Sequence, residues 1–362
     1  MSLQLPAVTA SLHNATSNEQ LRRIFAGLGF VSASDAILPI LRQAQKAASV
    51  SDVTILIEGE TGTGKRVLAQ AIHQLDEKRK DAPLITAHCS TIGEALAESE
   101  LFGHHRGAFT GAVAERTGLF QAANRGTLLL DDVNDLPLSI QPKLLDVIQR
   151  GVVRPVGSDR EMAVNVRIIA ACNEPLQPLV LQKRFRSDLY HRLNVIRLRL
   201  PPLRDRGEDI AALVMAFAVR YRSIYDPIER VDPELVRLLQ SQLFGGNIRE
   251  LENAVLRMLF AKSQGTSLGL TDWIAQMAEL GGEEADGGKD LLGEAAQKLW
   301  EAISRGGVSY AQAMRQIEKK VLENALKSGG ETRRDLAKRL HTSERTLYHK
   351  IRAHRLGDPA GM

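Results

Sequence analysis

Short apolar runs rich in β-branched residues recur along the first part of the chain, at 53–57, 84–89, 127–130, 166–171 and 195–200. Helical stretches separate them, and strands alternating with helices predict a parallel, doubly wound α/β sheet. After Pro201-Pro202 the period changes. Segments 208–225, 233–243 and 248–262 carry apolar residues at helical spacing, which predicts a separate all-helical subdomain. Residues 281–307 contain GGEEADGG and SRGG around one short amphipathic stretch, 291–303, and read as a linker. A last block of helices begins near Tyr310, and no internal repeat or long low-complexity tract interrupts the pattern.

The first of these strands runs into Gly59-Glu60-Thr61-Gly62-Thr63-Gly64-Lys65, and a helix is predicted from Arg66 to Gln74. Glycines at these places let successive backbone N–H groups face phosphates, and the helix N-terminus adds a positive dipole. Lys65 is placed to contact the β- and γ-phosphates of ATP. Such loops usually continue with Ser or Thr for Mg²⁺, whereas Arg66 stands here, so magnesium must rely on Asp131, the phosphates and water. Asp131 and Asp132 end the apolar strand Leu128-Leu129-Leu130. Farther on, Gly107-Ala108-Phe109-Thr110-Gly111-Ala112 has glycines that permit a tight, mobile hairpin, with Phe109 and Thr110 the only groups large enough to hold a partner.

That six-residue string, with Glu100-Leu101-Phe102-Gly103-His104 before it and Asn247-Ile248-Arg249-Glu250-Leu251-Glu252-Asn253 downstream, resembles the central domain of bacterial enhancer-binding proteins, the AAA+ activators of sigma-54 RNA polymerase. The resemblance covers about residues 29 to 265. It implies an AAA+ P-loop parallel-sheet core at 29–202, an α-helical lid at 203–280, the linker at 281–307, and a C-terminal all-α DNA-binding domain at 308–362. It also implies ATP and Mg²⁺ as cofactors and a dimer assembling into a hexameric ring. Residues 1–28 read as a short N-terminal extension, too short for the receiver or sensory domain that many relatives carry. Control would then fall to a partner protein, to abundance, or to a segment removed from this chain.

The resemblance also distributes roles. Gly107 to Ala112 would contact sigma-54, with a second insert at 149–162 supporting the loop. His105 and Arg106 depart from the family's usual residues there and could change how the loop is latched. Asp131 would hold magnesium, while Asp132 stands where the family usually has the glutamate that polarises the attacking water. His88 stands where relatives usually have the asparagine that pairs with that glutamate. Two readings of the altered pair stand, a re-tuned switch with His88 and Asp132 in hydrogen-bond reach or weak hydrolysis, and a third makes His88 a satisfied core histidine if the strand is rotated. Asn173 occupies the sensor I position, beside Cys172 in place of threonine. Arg186 and Arg192 are the candidates for an arginine supplied to a neighbouring subunit's ATP, which would make hydrolysis depend on assembly. Arg249 matches sensor II, and Phe244-Gly245 replaces the usual Trp-Pro before it.

Residues 331–340 and 343–351 have a helix, short turn and helix pattern, which resembles the Fis-type helix-turn-helix of these activators. Ser343 can cap the second helix, and Leu336, Ala337, Leu340, Leu347 and Ile351 supply a small core. Arg333, Arg334, Ser343, Arg345, Thr346, His349 and Lys350 are then the candidates for DNA, and a preceding helix, 310–327, looks like a dimerisation element. Eight basic residues face three acidic ones between Glu331 and Leu356.

Over the whole of the 362 residues the net charge is only +4, too mild for a non-specific polyanion binder. The two cysteines, Cys89 and Cys172, fit neither a disulfide framework nor a zinc site and read as small buried residues. No apolar run is long enough to span a bilayer and the N-terminus has no signal-peptide order, so a cytoplasmic protein is expected. Two other functions remain open: a nucleotide-gated DNA-binding regulator without productive turnover, for which His88 and Asp132 speak, and an AAA+ remodelling ATPase without a sigma-54 role, against which the loop speaks.

Overall fold

The computed structural model describes residues 17–91, 93–109, 114–280, 309–327, 333–340, 342, 344–354 and 356. The expected linker, 281–307, lies outside these residues, as do Thr110, Gly111, Ala112 and Ser343. The chain forms two compact units, 1–213 and 214–362.

In the first unit five parallel strands pair in the order β2-β3-β6-β1-β7: β1 Ile55–Glu58, β2 Leu84–His88, β3 Thr127–Asp131, β6 Arg167–Cys172 and β7 Ile196–Arg199. All five predicted runs are strands of this sheet, displaced by no more than a residue or two. Strands β1 and β6 are buried along their whole length because helices cover both faces, so they read as continuous apolar runs. The two faces still follow the period of two. Ile55, Ile57, Leu129 and Ile169 pack with Leu41, Leu68 and Ile72 on one side, while Leu56, Leu128, Leu130 and Ile168 pack with Leu101, Phe120, Leu144 and Leu189 on the other.

The stretch expected as an extension contributes a helix, α1 Asn18–Gly27, capped by the Ser17 hydroxyl, which accepts from Gln20 N at 3.1 Å. Its Leu21 and Phe25 are fully buried against α2, Leu38–Ala48, so 18–27 belongs to the packed core. Far from the P-loop, at the start of β6, Arg167 donates to Asp76 at 2.6 Å with both side chains fully buried. Burial opposes ionisation of Asp76, but hydrogen bonds from Ser51 and Arg167 hold its carboxyl below the usual aspartate value.

The second unit contains helices Pro233–Ser241, Asn247–Ala261 and Leu270–Leu280, the last with no counterpart among the predicted helices. Lys262 and Asp272 form a buried ion pair at 3.1 Å there. Helix Tyr310–Lys327 has the predicted bounds, and Arg333–Arg339 and Glu344–Ala353 follow, with Leu322, Leu336, Ala337 and Leu347 buried between these three. Among the described residues no helix is long and apolar enough to cross a membrane.

Candidate functional site

The Gly59–Gly64 loop leaves the buried end of β1 and enters the helix Lys65–Gln74, and Gly62 and Gly64 adopt φ of 78° and 98°, a left-handed backbone that glycine takes without a Cβ clash. Thr63 is buried and its hydroxyl donates to Glu60 O at 2.8 Å. Lys65, also buried, donates to the carbonyls of Gly59 at 2.8 Å and Glu60 at 3.1 Å. Its ammonium is thus held on the loop rather than in the core. Arg66 is exposed on the helix.

Three further groups arrive at the carboxyl ends of adjoining strands, the usual ligand edge of a parallel sheet. β2 brings His88, β3 brings Asp131 and Asp132, and β6 brings Asn173. The β2–β3 register places His88 opposite Asp131, and His88 Nδ1 lies 3.7 Å from Asp131 Oδ2. Of the readings open for His88, the one that puts it in reach of Asp132 is not what the strands give: its ring lies beside Asp131. The physical reason is the backbone: Asp132 has left the strand in a left-handed conformation, φ 53°, and its carboxylate is approached by Asn173 Nδ2 and Ser90 Oγ, each at 3.4 Å. His88 is also no core histidine, being exposed at the strand end. Ser90 was not anticipated, since nothing local marks a hydroxyl in a loop as an aspartate's partner.

Burial pushes both thiols, Cys89 and Cys172, up to about 12, which makes them inert and fits their reading as small core residues. Asp135 is raised by burial and by its neighbours Asp132 and Glu174. An oxygen-donor carboxylate at Asp131 beside a P-loop suits Mg²⁺, a hard cation. Among the described residues no cluster of three or more His, Cys, Asp or Glu could hold a metal without phosphate oxygens.

Arg186 is the N-cap of the short helix Ser187–Leu193 and Arg192 lies in its last turn, and both are exposed. Arg186 makes a two-pronged contact with Asp188 at 3.1 and 2.7 Å, and Arg192 donates to Ile148 O at 3.1 Å. Arg249 is exposed near the start of helix Asn247–Ala261, in the second unit.

Of the six-residue loop, Gly107, Ala108 and Phe109 are described. The neck of the loop is built on His104, whose backbone bridges Arg116 and Val156. Its imidazole contacts Ser99 Oγ at 2.6 Å and Ala114 O at 2.9 Å, and its ring meets Phe109 edge-on at 5.0 Å. His105 lies 3.4 Å from Glu115 on the returning arm. The second insert is a hairpin of β4 Val152–Val153 and β5 Met162–Ala163, and its Val156 exchanges hydrogen bonds with Gly103 and His105. It supports the loop as expected.

Among the C-terminal residues assigned to DNA, Arg334 and His349 are exposed and Thr346 is half-buried. Arg333 and Arg345 fall in helices whose side chains at those positions are outside the described set. Lys350 Nζ contacts Glu318 of helix Tyr310–Lys327, which His354 Nε2 also contacts at 2.8 Å. Burial opposes it, yet those two contacts hold Glu318 below its usual value.

A family model described as the Sigma-54 interaction domain matches residues 30–199, and one described as the AAA+ ATPase lid domain matches 204–287. The chain is similar to the regulatory protein AtoC of Escherichia coli (strain K12), 38% identical over 328 residues that cover 90% of this chain and 68% of AtoC. It is similar also to the DNA-binding transcriptional activator HyfR of the same organism, 46% identical over 258 residues, 70% of this chain. The chain spans 38% of HyfR's length. Among solved structures, NtrX from Brucella abortus in complex with ATP aligns with a TM-score of 0.61 at 25% identity, covering 92% of this chain and 72% of that one. The same protein in complex with ADP aligns at 0.63 and 26%, covering 93% and 72%.

Proposed function

Because the chain belongs to the family of sigma-54-dependent transcriptional activators, with an AAA+-like parallel-sheet core and a helical lid, we propose that it binds an upstream enhancer and uses ATP hydrolysis in an oligomeric ring to remodel the sigma-54 RNA polymerase closed complex. The observation that carries this reading is the convergence of Lys65, Asp131, Asp132 and Asn173 on one sheet edge. Lys65 would exchange its two loop carbonyls for phosphate oxygens. Mg²⁺, when bound at Asp131, would supply charge neutralisation of those oxygens. Asp132, steadied by Asn173 and Ser90, would accept a proton from the attacking water. Arg186 and Arg192, both exposed, would leave Asp188 and the Ile148 carbonyl to serve a neighbouring subunit's nucleotide. Phe109 would meet sigma-54, and helices Arg333–Arg339 and Glu344–Ala353 would read DNA as a helix-turn-helix, Arg334, Thr346 and His349 among the contacts. Lys350, tied to Glu318, would contribute by holding the helices together.

A second reading, a nucleotide-gated DNA-binding regulator with weak or partner-dependent hydrolysis, is favoured by one observation: His88 sits against Asp131, not against Asp132. ATP hydrolysis measured against protein concentration, with Asp132→Ala alongside, separates the two. A rate that rises cooperatively and disappears in the variant supports the activator; tight ATP binding with negligible turnover at every concentration supports the regulator.

A further inference from the structure

The P-loop is held from outside by a segment that the nucleotide chemistry does not use. Arg204 grips the Glu60 carboxylate with two hydrogen bonds, at 2.9 and 2.8 Å, and Arg206, fully buried, donates Nη2 to the carbonyl of Thr63 at 2.6 Å. Three residues on, the fully buried Asp209 accepts from Ser32 Oγ, Ala33 N and Ser34 N at 2.8, 2.6 and 2.7 Å. Arg206 and Asp209 are not themselves hydrogen-bonded. Nη1 and Oδ2 stand 3.7 Å apart, and both atoms, with Arg206 Nε, are buried without a hydrogen-bond partner among the described residues.

A guanidinium that leaves two buried nitrogens unpartnered is a poor way to fill space, because desolvation of the charge is only partly repaid and an apolar side chain of similar volume would serve better. What the arginine does achieve is directional. The Thr63 carbonyl and the Gly64 N–H belong to one planar peptide unit, in which the two bonds point in opposite directions. Holding the carbonyl against Arg206 turns the Gly64 N–H the other way, into the loop, where phosphate is cradled at a helix N-terminus. Gly64 itself offers no resistance to rotation, its φ of 98° lying where glycine moves freely.

We propose that Arg206 is a positioning residue for phosphate recognition: it fixes the Thr63–Gly64 peptide so that the Gly64 N–H is aimed at the nucleotide's phosphates, while Asp209 keeps the guanidinium charged and registered against residues 32–34. This rests on the reading that the P-loop binds nucleotide, and the test keeps the two apart. ADP and adenosine affinities are measured by calorimetry on the full chain and on Arg206→Met and Arg206→Lys, with circular dichroism to establish folding. The methionine variant is expected to bind ADP about tenfold more weakly, the loss of about one hydrogen bond to a charged group, with adenosine unchanged. The lysine variant, which restores a buried cation able to reach the carbonyl, is expected to recover most of that loss. Should Arg206→Met not fold, Arg206→Gln, neutral and too short to reach Thr63, is read in the same way. Unchanged ADP affinity, or ADP and adenosine affinities falling together, overturns the assignment. Failure of the unaltered chain to bind ADP at all overturns the nucleotide reading beneath it.

Discussion

Replacing Arg186 by alanine should leave the isolated subunit almost untouched and abolish its hydrolysis in the ring. Within the subunit the guanidinium's side-chain partner is Asp188, and the two side chains are 46% and 43% exposed. Such an exposed pair is worth about 0–1 kcal/mol, so the melting temperature should move by less than about 4 °C. If the arginine acts on a neighbour's transferring phosphoryl group, its loss costs on the order of 10³-fold or more in kcat. The decisive assay mixes two inactive proteins, Arg186→Ala and Asp132→Ala. In a ring of heterologous interfaces, an Arg186→Ala subunit keeps its own Asp132 and receives an arginine from an Asp132→Ala neighbour, so equimolar mixing completes roughly a quarter of the interfaces. Hydrolysis should reappear on mixing. Near-normal hydrolysis by Arg186→Ala alone, or continued silence of the mixture despite verified co-assembly, would refute the trans-acting role.

Other expectations are more local. Asp76→Asn removes the carboxylate that the buried, charged Arg167 is hydrogen-bonded to, which should cost about 3–5 kcal/mol in urea denaturation while nucleotide affinity in the folded fraction is unchanged. Because the Asp76 carboxyl is held below its ordinary value of 3.8, its contribution is complete above about pH 4 and is lost as pH falls through the lower folded value. Denaturation curves between pH 5 and pH 2, roughly the acid range of such groups, should show that loss, and Asp76→Asn should flatten it. Gly103→Ala should disturb the neck of the loop, since its φ is 86° and an added Cβ would lie 2.7 Å from Arg116 O. Proteolysis there should accelerate, with ADP affinity preserved.

The sheet was legible in the sequence because a parallel sheet covered on both faces writes its strands as continuous apolar runs, and the runs ending in Asp131 and Cys172 needed only their order supplied. Helix α1 was missed: half of NEQLRRIFAG is polar, and its core contribution rests on Leu21 and Phe25 one turn apart. The site residues were named by motif, but their partners depend on register and turn geometry. His88 meets Asp131 because β2 and β3 pair in that register, and Asp132 is turned away by one backbone torsion. Arg206 was invisible for a different reason. An arginine in a run of charges reads as surface, and its partner Thr63 lies 143 positions away. The only available signal was the density of Arg and Asp in Pro202-Leu203-Arg204-Asp205-Arg206, which alone cannot separate a solvated turn from a clamp.

The edge-on contact between Phe109 and His104 carries a toll for any protein that captures the phenyl ring. Both imidazole nitrogens of His104 are already engaged, by Ser99 and by Ala114, so the ring cannot follow Phe109 outward without breaking one of them. A partner that lifts Phe109 away therefore forfeits about 0.5–1.5 kcal/mol of ring contact, which weakens its apparent affinity about two- to tenfold relative to an unlatched aromatic. Discrimination follows from that debit: weak, fortuitous apolar partners are disfavoured, and only one offering a deeper pocket draws the ring out.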